Sequence, residues 1–102
     1  MQKRMYAIAR HDLRTKGYKA AQCGHALAQY MIEHKPQETG DWENNHLIFL
    51  ETKTNHCLDK IIYKLERDGC KFSKFYEPDL DGQLTAIAGL NIGHILSKYN
   101  IL

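Results

Sequence analysis

Serine is almost missing from this chain: among 102 residues only Ser73 and Ser97 occur, both in ordinary contexts. A serine nucleophile is therefore set aside. Cysteine is scarce and odd in number. Cys23, Cys57 and Cys70 carry no zinc-like spacing, so reduced thiols are expected rather than a disulfide frame. Cys23 and His25 stand two apart and point to different sides of a helix, so no metal is expected. Neither common kind of glycine-rich phosphate loop is present, which removes the usual nucleotide-binding classes. No apolar run approaches the roughly 20 residues that a membrane span needs. The start, MQKRMYAIAR, is too short and too interrupted for a secretory signal, so the cytoplasm is the expected compartment. There is no internal repeat, linker or low-complexity segment.

What is there fits one globular domain over residues 1–102, since 43% hydrophobic and 25% charged residues are ordinary proportions for a modest core. The net charge of +2 is unevenly spread. Residues 1–19 hold six of the 14 basic residues (Lys3, Arg4, Arg10, Arg14, Lys16, Lys19) and one acid, Asp12, leaving eight basic and 11 acidic residues beyond. Such asymmetry marks either an anion-facing edge, including one for nucleic acid, or an edge strand blunted by charge.

Lys3 to Arg10 is a nearly continuous apolar run and predicts a strand buried on both faces. Thr15 is placed to cap a first helix, which runs to His34 or Lys35 because Pro36 disfavours helix before it. Residues 35–45, with Trp42 as a lid or rim anchor, read as loop. His46 to Thr52 predicts a second strand. Asn55 caps a second helix with Leu58, Ile61, Ile62 and Leu65 inward, and Gly69 stops it. Lys71 to Tyr76 predicts a third strand, followed by the turn Glu77 to Gly82. Leu84 to Gly89 predicts a fourth strand, and Asn91 caps a last helix carrying Ile92, Ile95, Leu96 and Tyr99. The order β-α-(loop)-β-α-β-β-α predicts a three-layer α/β/α domain on a mixed four-stranded sheet, with strands three and four antiparallel.

On the first helix the 3.6-residue period separates two stripes. Ala20, Gly24, Leu27, Ala28 and Met31 are small or apolar and predict the sheet-facing side. Tyr18, Gln22, His25 and Gln29 form a polar stripe, and Cys23 lies off it. Beside Lys16 at the helix start, where a cation and unpaired amides hold anions, this face is the candidate site. Gln22 and His25 lie along it. Glu77, Asp79, Asp81 and Thr85 come from the later turn and strand. A carboxylate to orient water, a cation and neutral donors suit hydrolysis of an ester bearing phosphates. The alternative is that Asp and Pro are simply turn residues.

The stretch RHDLRTKGYKAAQCGHALA, Arg10 to Ala28, resembles the N-terminal signature of the type-two peptidyl-tRNA hydrolase family: Arg-x-Asp-Leu, then Lys-Gly-Lys, then Ala-Ala-Gln-Cys-x-His-Ala. QLTAIAG, Gln83 to Gly89, resembles its threonine-containing strand. The resemblance implies an α/β/α fold and cleavage of the ester between a peptide and the terminal ribose of tRNA, without metal or organic cofactor. It implies lysines at the helix start, a later aspartate and neighbouring threonines as site residues. Lys16 matches the first lysine of the motif, Asp12, Gln22 and His25 match family positions, and Thr85 matches the threonine of the last strand. Two departures stand out. The second lysine falls on Tyr18, with Lys19 about 100° further round the helix. The family's Asp-Ala-Gly segment is missing, leaving Glu77, Asp79 or Asp81 to supply the carboxylate, the strand register favouring the first two.

Three readings follow. In the first, an esterase holds the tRNA phosphates with Arg10, Arg14, Tyr18 and Lys19, positions water with Glu77 or Asp79, and stabilises the oxyanion with Lys16 and Gln22, His25 or Thr85. In the second, a catalytically reduced member of the same fold binds tRNA or a protein partner through Tyr18. In the third, the helix face is the seam of a homodimer.

Overall fold

The computed structural model describes residues 3–53 and 58–102. The Asn55 cap expected for the second helix, and Cys57, lie outside the described residues.

β1 (Arg4–Ala9) is buried at every position from Met5 to Ala9, as its unbroken apolar run predicts. It forms the centre of the sheet. α1 (Lys16–His34) starts where expected: Thr15 is extended at φ −141° and its hydroxyl accepts from the Tyr18 amide at 3.0 Å. The helix ends at Lys35, in the left-handed region at φ 46°, just before Pro36. Thr15→Ala is expected to lower stability by about 1 kcal/mol, read as a lower urea midpoint at unchanged slope.

A four-residue helix, α2 (Pro36–Thr39), interrupts the loop that follows. Trp42 is 3% exposed and its indole donates to the His46 carbonyl at 3.2 Å, so it anchors this connection to the start of β2 (His46–Glu51). α3 (Leu58–Arg67) buries Leu58, Ile61 and Leu65 and stops at Gly69, φ 68°. β3 (Ser73–Glu77) leads through a 3-10 turn at Pro78–Leu80 into β4 (Gln83–Leu90). α4 (Gly93–Leu96) and β5 (Asn100–Ile101) close the chain.

Among the described residues five strands form one sheet in the order β3-β4-β1-β2-β5. β1 and β2 are parallel; β4 runs antiparallel to both β1 and β3, and β5 to β2. The antiparallel pairing of the third and fourth strands is as expected. The expectation of four strands is corrected to five, and the element order gains α2, the 3-10 turn and β5. A two-residue strand is too short to leave a period in the sequence.

The sheet is covered on both faces. Met5, Ala7, Ala9, Ala86 and Ala88 pack with Cys23, Ala26 and Tyr30 of α1. Tyr6, Ile8 and Ile87 pack with Leu58, Ile61 and Leu65 of α3 and Ile95 and Leu96 of α4. The last helix is shorter than expected and Asn91 does not cap it. Asn91 sits at φ 56°, and its side-chain oxygen accepts from the Arg4 amide at 2.9 Å, stitching the end of β4 to the start of β1. No helix of the described residues is long and apolar enough to cross a membrane.

Candidate functional site

β3 is an edge strand whose inward side chains all meet α1. In SKFYE, Ser73 and Glu77 are buried and Phe75 half-buried, while Lys74 and Tyr76 face outward. The Ser73 hydroxyl donates to the Glu33 carboxylate. The Phe75 ring lies parallel to His25, centroids 4.5 Å apart. Glu77 accepts from Gln22 Nε2 at 2.8 Å. The two elements therefore meet through polar and aromatic pairs rather than through an aliphatic seam.

Gln22 is 1% exposed, so the stripe expected to face solvent turns one of its members into the interior. The sheet-facing side is Gln22, Cys23, Ala26 and Tyr30, while Ala28 is exposed. This corrects the predicted phase of α1 by about one residue, or 100°. The burial is tolerated because every polar atom of the Gln22 amide is used. Its Nε2 donates to Glu77 and its Oε1 accepts from the Thr85 hydroxyl.

Thr85 reaches Gln22 because β4 carries a bulge. Phe75 pairs with Ala86 and Tyr76 with Leu84, so Thr85 is the extra residue on β4. Strict alternation would put Thr85 on the α3 face with Ile87. The bulge instead lets Thr85 and Ala86 both address α1. Thr85 is fully buried, and its own carbonyl accepts from the Arg10 amide at 3.0 Å.

Glu77 is 7% exposed and opens the 3-10 turn, its Oε2 accepting from the Asp79 amide at 3.3 Å. The Gln22 amide holds its carboxyl below the ordinary range, helped by the Asp79 amide, the nearby His25 and the Tyr18 hydroxyl, against the opposing effect of burial. Because the folded-state value lies below the ordinary 4.5, the folded protein binds fewer protons here than the unfolded chain. The resulting stability is complete above about pH 4.5 and is lost as pH falls through the lower folded-state value. Glu77→Gln is expected to flatten that acid limb in urea titrations between pH 5 and 3, roughly the range that linkage covers; an unchanged limb would contradict it.

The lysines go elsewhere. Lys19 Nζ lies 2.7 Å from Glu51 Oε1, with both side chains under one-fifth exposed, and Lys16 Nζ lies 3.9 Å from Glu51 Oε2. The structure thus brings Gln22, Glu77 and Thr85 together, with His25 and Tyr18 beside them. It places Lys16 and Lys19 over β2, at the carboxyl end of the parallel pair β1 and β2. Asp79 and Asp81 are exposed, Asp81 closing the turn at φ 55°. The Cys23 thiol is fully buried, and burial pushes it up to about 12, which removes it as a nucleophile. Among the described residues no group of three or more His, Cys, Asp and Glu side chains is arranged to hold a metal ion.

Glu51 is the participant that sequence reasoning passed over. Its signal was a charged residue closing an apolar strand, which needs a partner if the strand end is covered. Arg10 is likewise more tightly held than a phosphate-binding arginine need be. It grips Asp12 through two bonds of 3.0 and 3.1 Å and donates to Gln83 Oε1 and the Leu84 carbonyl. The pair keeps Asp12 ionised below its ordinary range. Beside it an open cleft of about 200 Å³ runs between the turn after β1, Tyr18 and the 3-10 turn. Arg14 covers the Tyr18 ring, its guanidinium carbon 4.7 Å from the centroid.

A mixed sheet covered on both faces, with a helix starting over the carboxyl ends of two parallel strands, defines an α/β protein whose polar groups gather where such folds bind ligands. The same fold occurs in a solved protein of unknown function from Agrobacterium tumefaciens, which superposes with a TM-score of 0.66 at 11% identity over 100% of this chain and 98% of that one. The sequence narrows the class. Residues 3–89 match the family described as peptidyl-tRNA hydrolase PTH2, and the chain belongs to that family. No curated protein matches the chain.

Proposed function

We propose that residues 1–102 act as one peptidyl-tRNA hydrolase-like domain that cleaves the ester between peptide and tRNA in the cytoplasm. Besides family membership, the observation that carries this reading is the ionised Glu77, held by Gln22 at the opening turns of α1 beside the most basic segment of the chain. In this reading Glu77 orients the attacking water. Gln22 and Thr85, both fully buried, are positioning residues that fix the carboxylate. His25 stands beside Glu77. Lys16, whose side chain is 74% exposed, swings from Glu51 to the developing oxyanion or a flanking phosphate. Arg10, Arg14 and Lys19 supply positive potential for the acceptor end. Asp79 serves through its backbone amide.

The test is release of an N-blocked amino acid from charged tRNA by the purified chain. Cleavage well above the spontaneous rate is expected, and release no faster than without protein rejects the hydrolase. A second reading, a binding protein of the same fold with reduced catalysis, is favoured by one observation. Where the family motif has its second lysine, this chain has the half-buried Tyr18, and both remaining lysines of this region are engaged by Glu51. Salt-dependent tRNA binding without turnover, with cleavage recovered by Tyr18→Lys, supports that second reading.

A further inference from the structure

We infer that the cleft between α3 and α4 binds a phosphate dianion, as the free ion or as the end of a monoester. The cleft lies on the sheet face opposite α1, so it is separate from Glu77 and does not rest on the hydrolase reading. Leu58, Ile61 and Leu65 anchor α3 on the sheet. Lys64 and Arg67 near its end then meet His94 and Ile95 of α4, with Ser97 and Lys98 just after it, around an open cleft of about 250 Å³. Lys64 is half-buried, and the Lys98 ammonium lies 5.5 Å from the centroid of the Tyr99 ring, so neither stem hangs loose in solvent.

The two lysines face each other. Hydrogen bonding with Lys64, and then the charge of Lys64, hold the Lys98 ammonium below the ordinary lysine range. Among the described residues neither ammonium has a carboxylate within ion-pair distance. Asp68, the only acid among the described residues that line the cleft, is already taken. Arg67 Nε lies 3.0 Å from one of its oxygens and His94 Nε2 3.5 Å from the other. Cations in the last turn of a helix are ordinary, and the α3 dipole accounts for Lys64 and Arg67. It does not account for Lys98, which follows the four-residue α4 and meets Lys64 against their mutual repulsion. An anion between them turns that repulsion into two charge-assisted hydrogen bonds. Arg67 spends its Nε on Asp68, which leaves the outer guanidinium nitrogens for further oxygens, and the Ser97 hydroxyl adds a donor. Three cations against one carboxylate are balanced by two negative charges, which a phosphate monoester approaches near pH 7 and a single carboxylate does not.

The test is titration of the full chain with inorganic phosphate, at an ionic strength held constant with chloride, followed by amide chemical shifts. Saturable shifts centred on Ser97 and Lys98 are expected. Lys98→Ala and Lys64→Ala should each weaken binding about tenfold, the loss of one charge-assisted hydrogen bond. Lys74→Ala, which removes an exposed lysine outside the cleft, should leave binding unchanged. Should Lys64→Ala fail to fold, Lys98→Ala, at an exposed position, decides alone. Ribose 5-phosphate, run beside inorganic phosphate, separates the sources. Tighter binding of the ester assigns the cleft to a monoester end, and tighter binding of the ion assigns it to free phosphate. No saturable shift with either, shifts centred elsewhere, binding indifferent to Lys98→Ala, or equal weakening by Lys74→Ala overturns the inference. Cleavage of peptidyl-tRNA is not a readout here. Failure of the hydrolase therefore leaves the cleft standing, and failure of phosphate to bind leaves the hydrolase untouched.

Discussion

Glu77→Gln is expected to lower kcat for peptidyl-tRNA cleavage by about 10²–10⁴-fold, the usual contribution of a positioned proton-transfer group, with the domain still folded. The substitution keeps the side chain's shape. Gln22 lies closer to it than the Asp79 amide does, at 2.8 against 3.3 Å, so the new amide oxygen should turn to accept from Gln22, and the weaker Asp79 contact is lost because an amino group cannot accept from that amide. What is lost is the charge that would orient water. KM should change little, because the proposed tRNA contacts lie in the basic segment that ends at Lys19. Gln22→Leu makes the complementary case: Glu77 remains but loses its main donor, so the carboxyl moves back up and kcat falls along with stability. If Glu77→Gln leaves kcat intact, Glu77 does not orient the water, and the carboxylate role passes to Asp79 or Asp81.

The fold was readable wherever a segment's own pattern settled its state. The apolar run of β1, the hydroxyl of Thr15 before α1, and the i, i+3, i+4, i+7 spacing of α3 each carry a local cause that acts within a few residues. What the pattern could not carry was anything set by a distant partner. Gln22 reads as outward because glutamine usually is. It turns inward because Glu77 and Thr85, far along the chain, complete its hydrogen bonds. Asn91 reads as a helix cap, since Asn favours that position. Its side chain is taken instead by the Arg4 amide on the neighbouring strand.

The candidate site shows the same division. Gln22, His25, Glu77 and Thr85 could be chosen from residue type and from the family motif, and they do stand together. Thr85 would fall on the wrong face by simple alternation, and only the bulge opposite Phe75 and Tyr76 brings it across. Bulges leave no residue signature in TAIAG. The lysines were expected near the carboxylate of the later turn, yet the strand order puts a different carboxylate, Glu51, beneath them. Charge sign could be read from the sequence; which opposite charge lies nearest depends on the parallel pairing of β1 with β2, which brings the ends of two distant segments together.

The two faces of the sheet should respond to mutation in opposite ways. Ile87→Ala is expected to destabilise the domain by about 2–5 kcal/mol, and Ile87→Val by only about 0.5–1.5 kcal/mol. Ile87 is fully buried on β4, paired with Ile8 on one side and Lys74 on the other, and packs in the cluster that includes Leu58, Ile61 and Leu65 of α3. Rigid strands and two covering helices leave little freedom to close the cavity. A loss of that size is a large share of the roughly 5–15 kcal/mol that holds a typical domain folded, and each kcal/mol should lower Tm by about 4–8 °C at this size. On the opposite face Ala7, Ala86 and Ala88 lie beneath Cys23 and Ala26 of α1, where small side chains let the helix approach closely. There the damaging change is enlargement. Ala88→Leu should cost about 1–3 kcal/mol by lifting α1, and should also lower kcat by pulling Gln22 from Glu77. Ile87→Ala should leave the Gln22–Glu77 contact, and hence kcat below the melting range, nearly unchanged. Urea denaturation together with initial rates on the same two variants separates the faces; equal loss of kcat in both would mean that α1 does not position the carboxylate.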